Sequence, residues 1–215
     1  MELKNIKANF LGDSITEGCG TTNHSTKPFH QLIAKKYDMA VARNYGIGGT
    51  RIAKQNVPSA NAVWDRDFCS RYSEMDDDAD LIVVFGGTND FGHGDAPFGT
   101  FADRTPDTFY GGCHTLMKGL IEKYPEARIV FMTPLHRISE DNVSPKTGLR
   151  LADYIAAIKE VATYYSLPVL DLWSVSGIQP RVDIIKEKYC PDGLHPNDEG
   201  HERMAAVIGA FLENL

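Results

Sequence analysis

The chain has 215 residues, 42% of them hydrophobic, and a formal net charge of -7. This negative charge argues against a nucleic-acid partner, because phosphate binding needs a concentrated basic surface. The apolar runs are far shorter than a membrane-spanning segment, so we expect no membrane partner either. The length suits a single domain over residues 1–215, and the partner that we expect is a small molecule.

The amino terminus and the cysteines bear on the cellular compartment. The first residues lack the basic and then apolar regions of a secretory signal, which predicts a cytoplasmic location, although a chain already trimmed of its signal would look the same. The four cysteines show no C-x-x-C spacing, so neither a zinc knuckle nor a thioredoxin-type site is predicted. We expect free thiols, and a bridge between Cys19 and Cys190 is the one pairing left open.

The first predicted strand, residues 6–11, ends at a candidate nucleophile. Gly12 and Asp13 tolerate the dihedral angles of a tight strand-to-helix turn, which would present Ser14 at the edge of the sheet. The alternative is a capping box over residues 14–17, in which Ser14 only bonds a backbone N–H. That alternative predicts a periodic apolar helix next, whereas glycine and polar residues follow.

A glycine-rich block follows the second predicted strand. Residues 27–37 are predicted to form a short helix and residues 39–44 a strand, which leads into Gly46-Ile47-Gly48-Gly49. A dinucleotide loop is excluded, because Arg51 stands where G-x-G-x-x-G needs its last glycine. A glycine-rich turn after a strand instead suits backbone amides that face a developing negative charge.

An acidic run precedes the third predicted strand. The spacing of apolar residues predicts a helix over residues 59–75. The acids that follow could suggest a cation site, but consecutive acids beside a strand are typical of a solvated turn, and they lack the spaced ligands of a calcium loop. We therefore expect no metal at this run, which comprises Asp76, Asp77, Asp78 and Asp80.

The third predicted strand, residues 81–85, is a continuous apolar run, as expected for a central parallel strand covered on both faces. Asn89 follows it at the carboxyl end, where ligands of open α/β sheets bind. There it can donate a hydrogen bond, or serve only as a turn-former beside glycine. Residues 91–106 lack periodicity, and we expect this loop to form a pocket wall. Its candidate contacts are His93, Phe98, Phe101 and Arg104.

The rest of the chain continues an α/β alternation. Helices are predicted over residues 109–124 and 149–165, strands over 128–133 and 168–172, and a last helix from Asn197. Two further candidate residues, His136 and Arg137, follow the fourth strand and are therefore placed at the same edge of the sheet.

Asp192 and His195 lie three residues apart in a loop stiffened by Pro191 and Pro196. The carboxylate can meet one imidazole nitrogen while the other faces outward, which suits a general base that takes a serine proton. Such a pair is equally typical of a plain turn before a capped helix. Its significance comes from the serine, glycine and asparagine motifs that accompany it.

Four blocks of this chain resemble, in the same order, those of the SGNH hydrolases, also called the GDSL lipase/esterase family. Each block alone is a weak signal, but the four together cover nearly the whole chain. They are Gly12-Asp13-Ser14, Asn44-Tyr45-Gly46-Ile47-Gly48-Gly49, Gly87-Thr88-Asn89-Asp90 and Asp192-Gly193-Leu194-His195-Pro196. The resemblance implies an α/β fold, a three-layer α/β/α sandwich with a five-stranded parallel sheet of flavodoxin-like strand order.

The resemblance also implies the roles of individual residues. Ser14 would be the nucleophile, His195 the base and Asp192 the acid that orients it. The backbone amides of Ser14 and Gly49, with the Asn89 side chain, would form the oxyanion hole. Gly49 is chosen over its neighbour Gly48 from the family's N-x-G-x-x-G pattern. No metal or organic cofactor is required.

The activity implied is hydrolysis of an ester through an acyl-serine intermediate. The loop over residues 91–106 carries aromatic, histidine and arginine side chains without a long apolar stretch, which favours a short acyl group on a polar or sugar alcohol. A thioesterase, a longer-chain lipase and a non-catalytic carbohydrate-binding module are the alternatives. The substrate contacts that we expect are Asp13, His93, Phe98, His136 and Arg137.

Overall fold

Five parallel strands form one sheet in the computed structural model, which describes residues 1–215. The strands are β1 (Lys7–Gly12), β2 (Val41–Gly46), β3 (Leu81–Phe85), β4 (Arg128–Met132) and β5 (Val169–Leu170). Their order across the sheet is β2-β1-β3-β4-β5, with every neighbouring pair parallel. This is the flavodoxin-like order, so the predicted fold class is confirmed.

Nine helices cover the sheet or lie in its connections. They are α1 (Ser14–Glu17), α2 (Phe29–Tyr37), α3 (Phe68–Arg71), α4 (Thr88–His93), α5 (Phe109–Lys123), α6 (Leu151–Tyr164), α7 (Leu172–Val175), α8 (Asp183–Tyr189) and α9 (Asp198–Glu213). The long helices α5 and α6 pack together over one face of the sheet, and α2 and α9 pack together over the other. None of the helices is long and apolar enough to cross a bilayer.

β3 lies between the two hydrophobic cores and contributes side chains to both of them. Ile82 and Val84 pack with α5 and α6, whereas Leu81, Val83 and Phe85 pack with α2 and α9. Successive side chains of a strand point to opposite faces, so a strand covered on both sides must be apolar throughout. Burying each of these side chains stabilises the fold by about 1.5–3 kcal/mol, which fixes the strand end that leads to Asn89.

The prediction of a helix over residues 59–75 is wrong. The structure has two 3-10 turns there, Ala62–Asp65 and Tyr72–Glu74, on either side of α3. The Asp65 carboxylate accepts both the backbone N–H and the hydroxyl of Ser59 at 2.8 and 2.6 Å. Side chains that bond nearby backbone groups in this way compete with helical hydrogen bonds, and so they break the segment into short turns.

The acidic run before β3 is bound by cationic side chains and backbone groups of the protein. Arg43 contacts the carboxylates of Asp76 and Asp78 at 2.9 and 2.8 Å, and the carboxylate of Asp80 accepts the Lys7 N–H at 2.8 Å. These contacts join the amino end of β3 to β1 and β2.

The four cysteines are all free thiols in the structure. Cys190 is buried and Cys19 half-buried, and the two sulfur atoms do not form a bridge. Burial raises the pKa of the Cys190 thiol to about 12, so this side chain remains a neutral thiol within the core.

Candidate active site

Three of the four sequence blocks meet at one edge of the sheet. Ser14, Gly49 and Asn89 follow β1, β2 and β3, which are adjacent strands in the order β2-β1-β3. The carboxyl ends of parallel strands lie at the same edge, and the connections diverge on either side of β1. Ligands of open α/β sheets bind in the crevice at such a point.

Ser14 is the first residue of α1 and does not cap it. Asp13 occupies the cap position, and its carboxylate accepts the Ile15 N–H at 3.0 Å. Glu17, which a capping box would direct back to the cap, instead accepts the Gly48 N–H at 2.8 Å. The capping-box alternative is therefore wrong, and the Ser14 hydroxyl is left for another partner.

That partner is His195. Ser14 Oγ lies 3.0 Å from His195 Nε2, and His195 Nδ1 lies 2.7 Å from Asp192 Oδ2. Because a carboxylate only accepts hydrogen bonds, Nδ1 of His195 carries the hydrogen and Nε2 is left to accept the Ser14 proton. The three side chains therefore have the contacts of a serine, histidine and acid that act together in acyl transfer.

Asp192 is held as an anion by backbone groups of its own loop. Partial burial would raise the pKa of its carboxyl, but the His195 N–H, the His195 ring and the Leu194 N–H hold that pKa below the ordinary value. The two backbone bonds measure 2.7 and 2.8 Å. Asp192 thus stays ionised at neutral pH and can stabilise a positively charged His195.

The turn after α1 packs against the loop that carries His195. Gly20 has a φ of +92° and lies so close to this loop that an added Cβ would be 2.3 Å from the Pro196 carbonyl oxygen and 3.2 Å from His195 Cβ. Only glycine combines this backbone conformation with so close an approach. The segment after the serine block therefore helps to position the histidine.

The glycine block has one free amide. The Gly48 N–H is bound by the Glu17 carboxylate, whereas the Gly49 N–H makes no hydrogen bond within the protein. Gly49 has a φ of +74°, and an added Cβ would lie 2.3 Å from the Trp64 ring. Of the two glycines, Gly49 is thus the one whose N–H is free of hydrogen bonds within the protein.

Two buried charged residues form hydrogen bonds with the loops at this edge of the sheet. The Arg71 guanidinium donates to the Gly12 carbonyl at 2.6 Å, at the very end of β1. The Asp90 carboxylate accepts the N–H groups of Ile52 and Ala53, each at 3.0 Å. Burial raises the pKa of Asp90 to about 6 despite these two bonds. Together they fix the loop after β2 against β1 and α4.

A cavity of about 290 Å³ is lined by residues that contact Asn89 and Gly49, and not by these two residues themselves. His93, one turn after Asn89 on α4, lies on its wall, and the Trp64 ring that covers Gly49 forms another side. Its lining mixes apolar residues with polar and charged ones, among them Arg51 and Lys146. The sequence singled out His93 but not Arg51, Trp64 or Lys146. No spacing rule marks these three, since Arg51 and Trp64 follow β2 whereas Lys146 follows β4, and only the fold brings them together.

Arg137 reaches the same edge from the loop after β4. Its guanidinium donates to the Thr88 carbonyl and hydroxyl at 3.0 and 3.1 Å, directly beside the asparagine block. His136 points elsewhere: its Nδ1 lies 2.9 Å from the Glu140 carboxylate, and its ring lies 3.8 Å from the Trp173 ring. The structure thus places Arg137 next to the asparagine block, whereas His136 contacts Glu140 and Trp173.

Two of the expected substrate contacts, Asp13 and Phe98, do not face the Ser14 and His195 side chains. Asp13 is only 1% exposed, its carboxylate caps α1, and burial raises its pKa to about 6. Phe98 packs against the α5 and α6 core, with its ring 5.1 Å from Tyr154 and 5.8 Å from Phe109. These positions correct the expectation for both residues, because one side chain is enclosed and the other packs against the core.

The loop over residues 91–106 is a pocket wall only at its start. Phe101 lies 4.9 Å from the His114 ring and 5.5 Å from the Tyr164 ring, and Arg104 lies over Phe101. These contacts are with α5 and α6, so the second half of the loop covers that core. The expected contribution of Phe101 and Arg104 to the pocket is corrected accordingly.

A larger cavity, about 480 Å³, lies at the opposite edge of the sheet. It is lined by residues at the amino ends of the strands, among them Asp80, Arg128 and Pro168. It is therefore separated by the length of the strands from Ser14, and we do not assign the reaction to it.

Comparisons with known proteins show the family and the fold of the chain. The model of the GDSL-like lipase/acylhydrolase family matches residues 10–203. A GDSL lipase of Mycobacterium tuberculosis is 27% identical over 207 residues, which cover 94% of this chain and 79% of that protein. A crystal structure of a protein from Lactobacillus plantarum is 31% identical, covers 98% of each chain and has a TM-score of 0.84.

A two-domain esterase active on acetylated mannans, co-crystallised with mannopentaose, has the same fold. It is 21% identical, with a TM-score of 0.62 over 99% of this chain and 50% of that one. The likeness covers about half of that longer protein.

Proposed function

Because the chain belongs to the GDSL-like lipase/acylhydrolase family, we propose that it hydrolyses a carboxylic ester through an acyl-serine intermediate. The observation that supports this most directly is the line of contacts from Ser14 Oγ through His195 to Asp192, at 3.0 and 2.7 Å. A hydrolase that used water alone would have no need of a serine hydroxyl aimed at an imidazole.

In the proposed reaction, Ser14 Oγ attacks the ester carbonyl carbon while His195 Nε2 takes the hydroxyl proton. Asp192 stabilises the imidazolium that results and keeps the ring in position. The tetrahedral intermediate then collapses: the bond to the alcohol oxygen breaks, and His195 returns its proton to that oxygen. A water molecule, deprotonated by His195, then attacks the acyl carbon; the bond to Ser14 Oγ breaks, His195 returns the proton to that oxygen, and the acid is released.

The negative charge of the tetrahedral oxygen needs donors that are already in position. The Gly49 N–H is unbound, and the Ser14 N–H belongs to the first turn of α1, where amides lack partners within the helix. The Asn89 side-chain amide donates one N–H to the Thr50 carbonyl at 3.0 Å and keeps a second. We assign these three groups to the oxyanion hole.

For the substrate, we propose a short acyl group, acetyl first, on a polar or carbohydrate alcohol. The cavity beside His93 is at the lower limit of ligand pockets, roughly 300 Å³, which favours a small group. Its polar side chains, Arg51 and Lys146 among them, and the half-buried Trp64 ring, with an apolar face and a polar edge, suit a sugar ring. The related fold of an esterase active on acetylated mannans is consistent with this choice.

The test is hydrolysis of p-nitrophenyl acetate, butyrate and octanoate, of glucose pentaacetate and of acetyl-coenzyme A by the wild type and Ser14→Ala. We expect oxygen esters with acetyl groups to be cleaved fastest, and activity to vanish in a folded Ser14→Ala protein. Octanoate as the best substrate would favour a longer-chain lipase, and acetyl-coenzyme A a thioesterase. Equal activity of the two proteins would overturn the serine mechanism.

A further inference from the structure

His93 contacts two groups through its two ring nitrogens. Its Nε2 lies 3.2 Å from Oδ1 of Asn89, four residues earlier on α4. Its Nδ1 lies 2.7 Å from the Arg51 guanidinium, which also donates to the His93 carbonyl at 3.3 Å. His93 therefore connects the loop after β2 with the asparagine assigned to the oxyanion hole.

The chemistry of these partners fixes the tautomer of His93. Arginine has only donors, so Nδ1 of His93 must be the nitrogen that accepts. The hydrogen of the neutral ring is then on Nε2, where it is donated to Oδ1 of Asn89. Desolvation and the charges of Arg51 and Arg137 lower the pKa of His93 to about 4, so the ring is neutral at physiological pH.

The same contacts orient the Asn89 amide. Its oxygen faces the His93 donor, and its nitrogen donates to the Thr50 carbonyl at 3.0 Å. A flipped amide would set two donors against each other at His93 and two acceptors at Thr50. With both neighbours in place, the second N–H of Asn89 can point in only one direction.

Arg51 is itself held rigidly. It is 3% exposed, and its other terminal nitrogen donates to the Ser59 hydroxyl at 3.0 Å and contacts the Asp65 carboxylate at 3.5 Å. The Trp64 ring lies 4.9 Å from the His93 ring and also covers Gly49. His93 is thus fixed by a buried cation and by an aromatic ring that touches a second oxyanion donor.

We propose that His93 is a positioning residue for ester hydrolysis, and that it acts by holding the Asn89 carbonyl so that the remaining amide N–H faces the oxyanion. The inference rests on the proposed esterase function. Both ring nitrogens are occupied, so His93 acts through Asn89 and not by a hydrogen bond to substrate. Its effect should appear in the chemical step, because the oxyanion forms only there.

Two substitutions separate hydrogen bonding from packing. His93→Phe keeps a ring against Trp64 but removes both nitrogens, whereas His93→Gln keeps a donor and an acceptor and removes the ring. We expect His93→Phe to lower kcat on p-nitrophenyl acetate about tenfold with little change in KM, since a loosened donor costs less than a deleted one. His93→Gln should retain most of the kcat. The reverse order would assign His93 to packing alone and overturn the proposal.

A double-mutant cycle tests whether the effect passes through Asn89. In the Asn89→Ala background, His93→Phe should cause no further loss of kcat, whereas additive losses, or a rise in KM, would mean that His93 contacts the substrate directly. His24→Phe, at an exposed histidine, is the matched control, and circular dichroism checks folding. A wild type inactive on every ester defeats the proposed function itself. An active wild type with an unaffected His93→Phe defeats only this inference.

Discussion

Ser14 Oγ and His195 Nε2 lie 3.0 Å apart although 181 residues separate them in the chain. The serine is fixed by the end of β1, whereas the histidine lies in the loop between α8 and α9. The nucleophile and its base therefore belong to different parts of the fold, and each can be altered without the other.

Asp192→Asn tests the role of the acid. An asparagine can present a donor to Nδ1 of His195, which favours the tautomer that cannot accept the Ser14 proton. We expect kcat to fall by about three to four orders of magnitude. The Asp192 side chain is 55% exposed, so unfolding in urea should change little. A loss below tenfold would argue that His195 needs no carboxylate partner.

Asn89→Ala removes a side-chain donor from the assigned oxyanion hole. We expect kcat to fall about a hundred- to a thousandfold while KM changes little, since the donor acts on charge that develops in the transition state. Steady-state kinetics on p-nitrophenyl acetate provide the measurement. Asn214→Ala, at the end of α9, is the matched control and should behave as wild type. A change confined to KM would place Asn89 in ground-state binding instead.

Gly49→Ala and Gly148→Ala form a matched pair. Both glycines have positive φ, +74° and +69°, but only at Gly49 does an added Cβ meet a neighbour, the Trp64 ring at 2.3 Å. Gly148→Ala should therefore cost about 1–2 kcal/mol of unfolding free energy from backbone strain alone, with kcat unchanged. Gly49→Ala should cost more and should also lower kcat. If the two substitutions had equal effects on the free energy of unfolding and on kcat, the Trp64 ring would be able to move aside at no cost.

The buried His30 makes stability depend on pH. Burial lowers its pKa from 6.5 to about 4, although the bond to the Thr16 carbonyl opposes this shift. Between these two values the unfolded chain binds the proton and the folded chain does not. The free energy of unfolding therefore falls as pH drops from 6.5 to 4, by on the order of 3 kcal/mol from this group.

His30→Gln isolates this contribution, because glutamine can still donate to the Thr16 carbonyl but does not titrate. We expect the difference in unfolding free energy between wild type and variant to shift in favour of the variant as pH falls from 6.5 to 4. The comparison is made at each pH, since the raised pKa values of Asp13 and Asp90 act in the opposite direction over the same range. A constant difference would contradict a neutral buried His30.

Much of the fold could be predicted because its signals are local. β3 matches its predicted bounds, since a strand buried on both faces must be apolar throughout. α9 begins after Asn197, whose side chain accepts the Gly200 N–H as a helix cap should. The predictions that depended on one strand, one turn or one cap agree with the structure to within a few residues.

The rest depended on partners distant in sequence. Residues 59–75 have helical spacing, yet Asp65 bonds Ser59 and Arg51 instead of allowing a regular helix. Trp64, expected on that helix, lies against Gly49 from a loop, and no periodicity encodes this contact. The Phe98 ring packs against the α5 and α6 core, which its position in an irregular loop did not reveal.

The long separation of Ser14 and His195 also has a consequence for refolding. We expect α9 to dock on α2, where the Phe29 N–H donates to His201 at 3.1 Å, before the loop ahead of α9 reaches Ser14. Closing so large a loop costs chain entropy that only nearly complete packing repays. The proposed activity would then be the last native property that a refolding chain recovers, later than its secondary structure or the burial of its core.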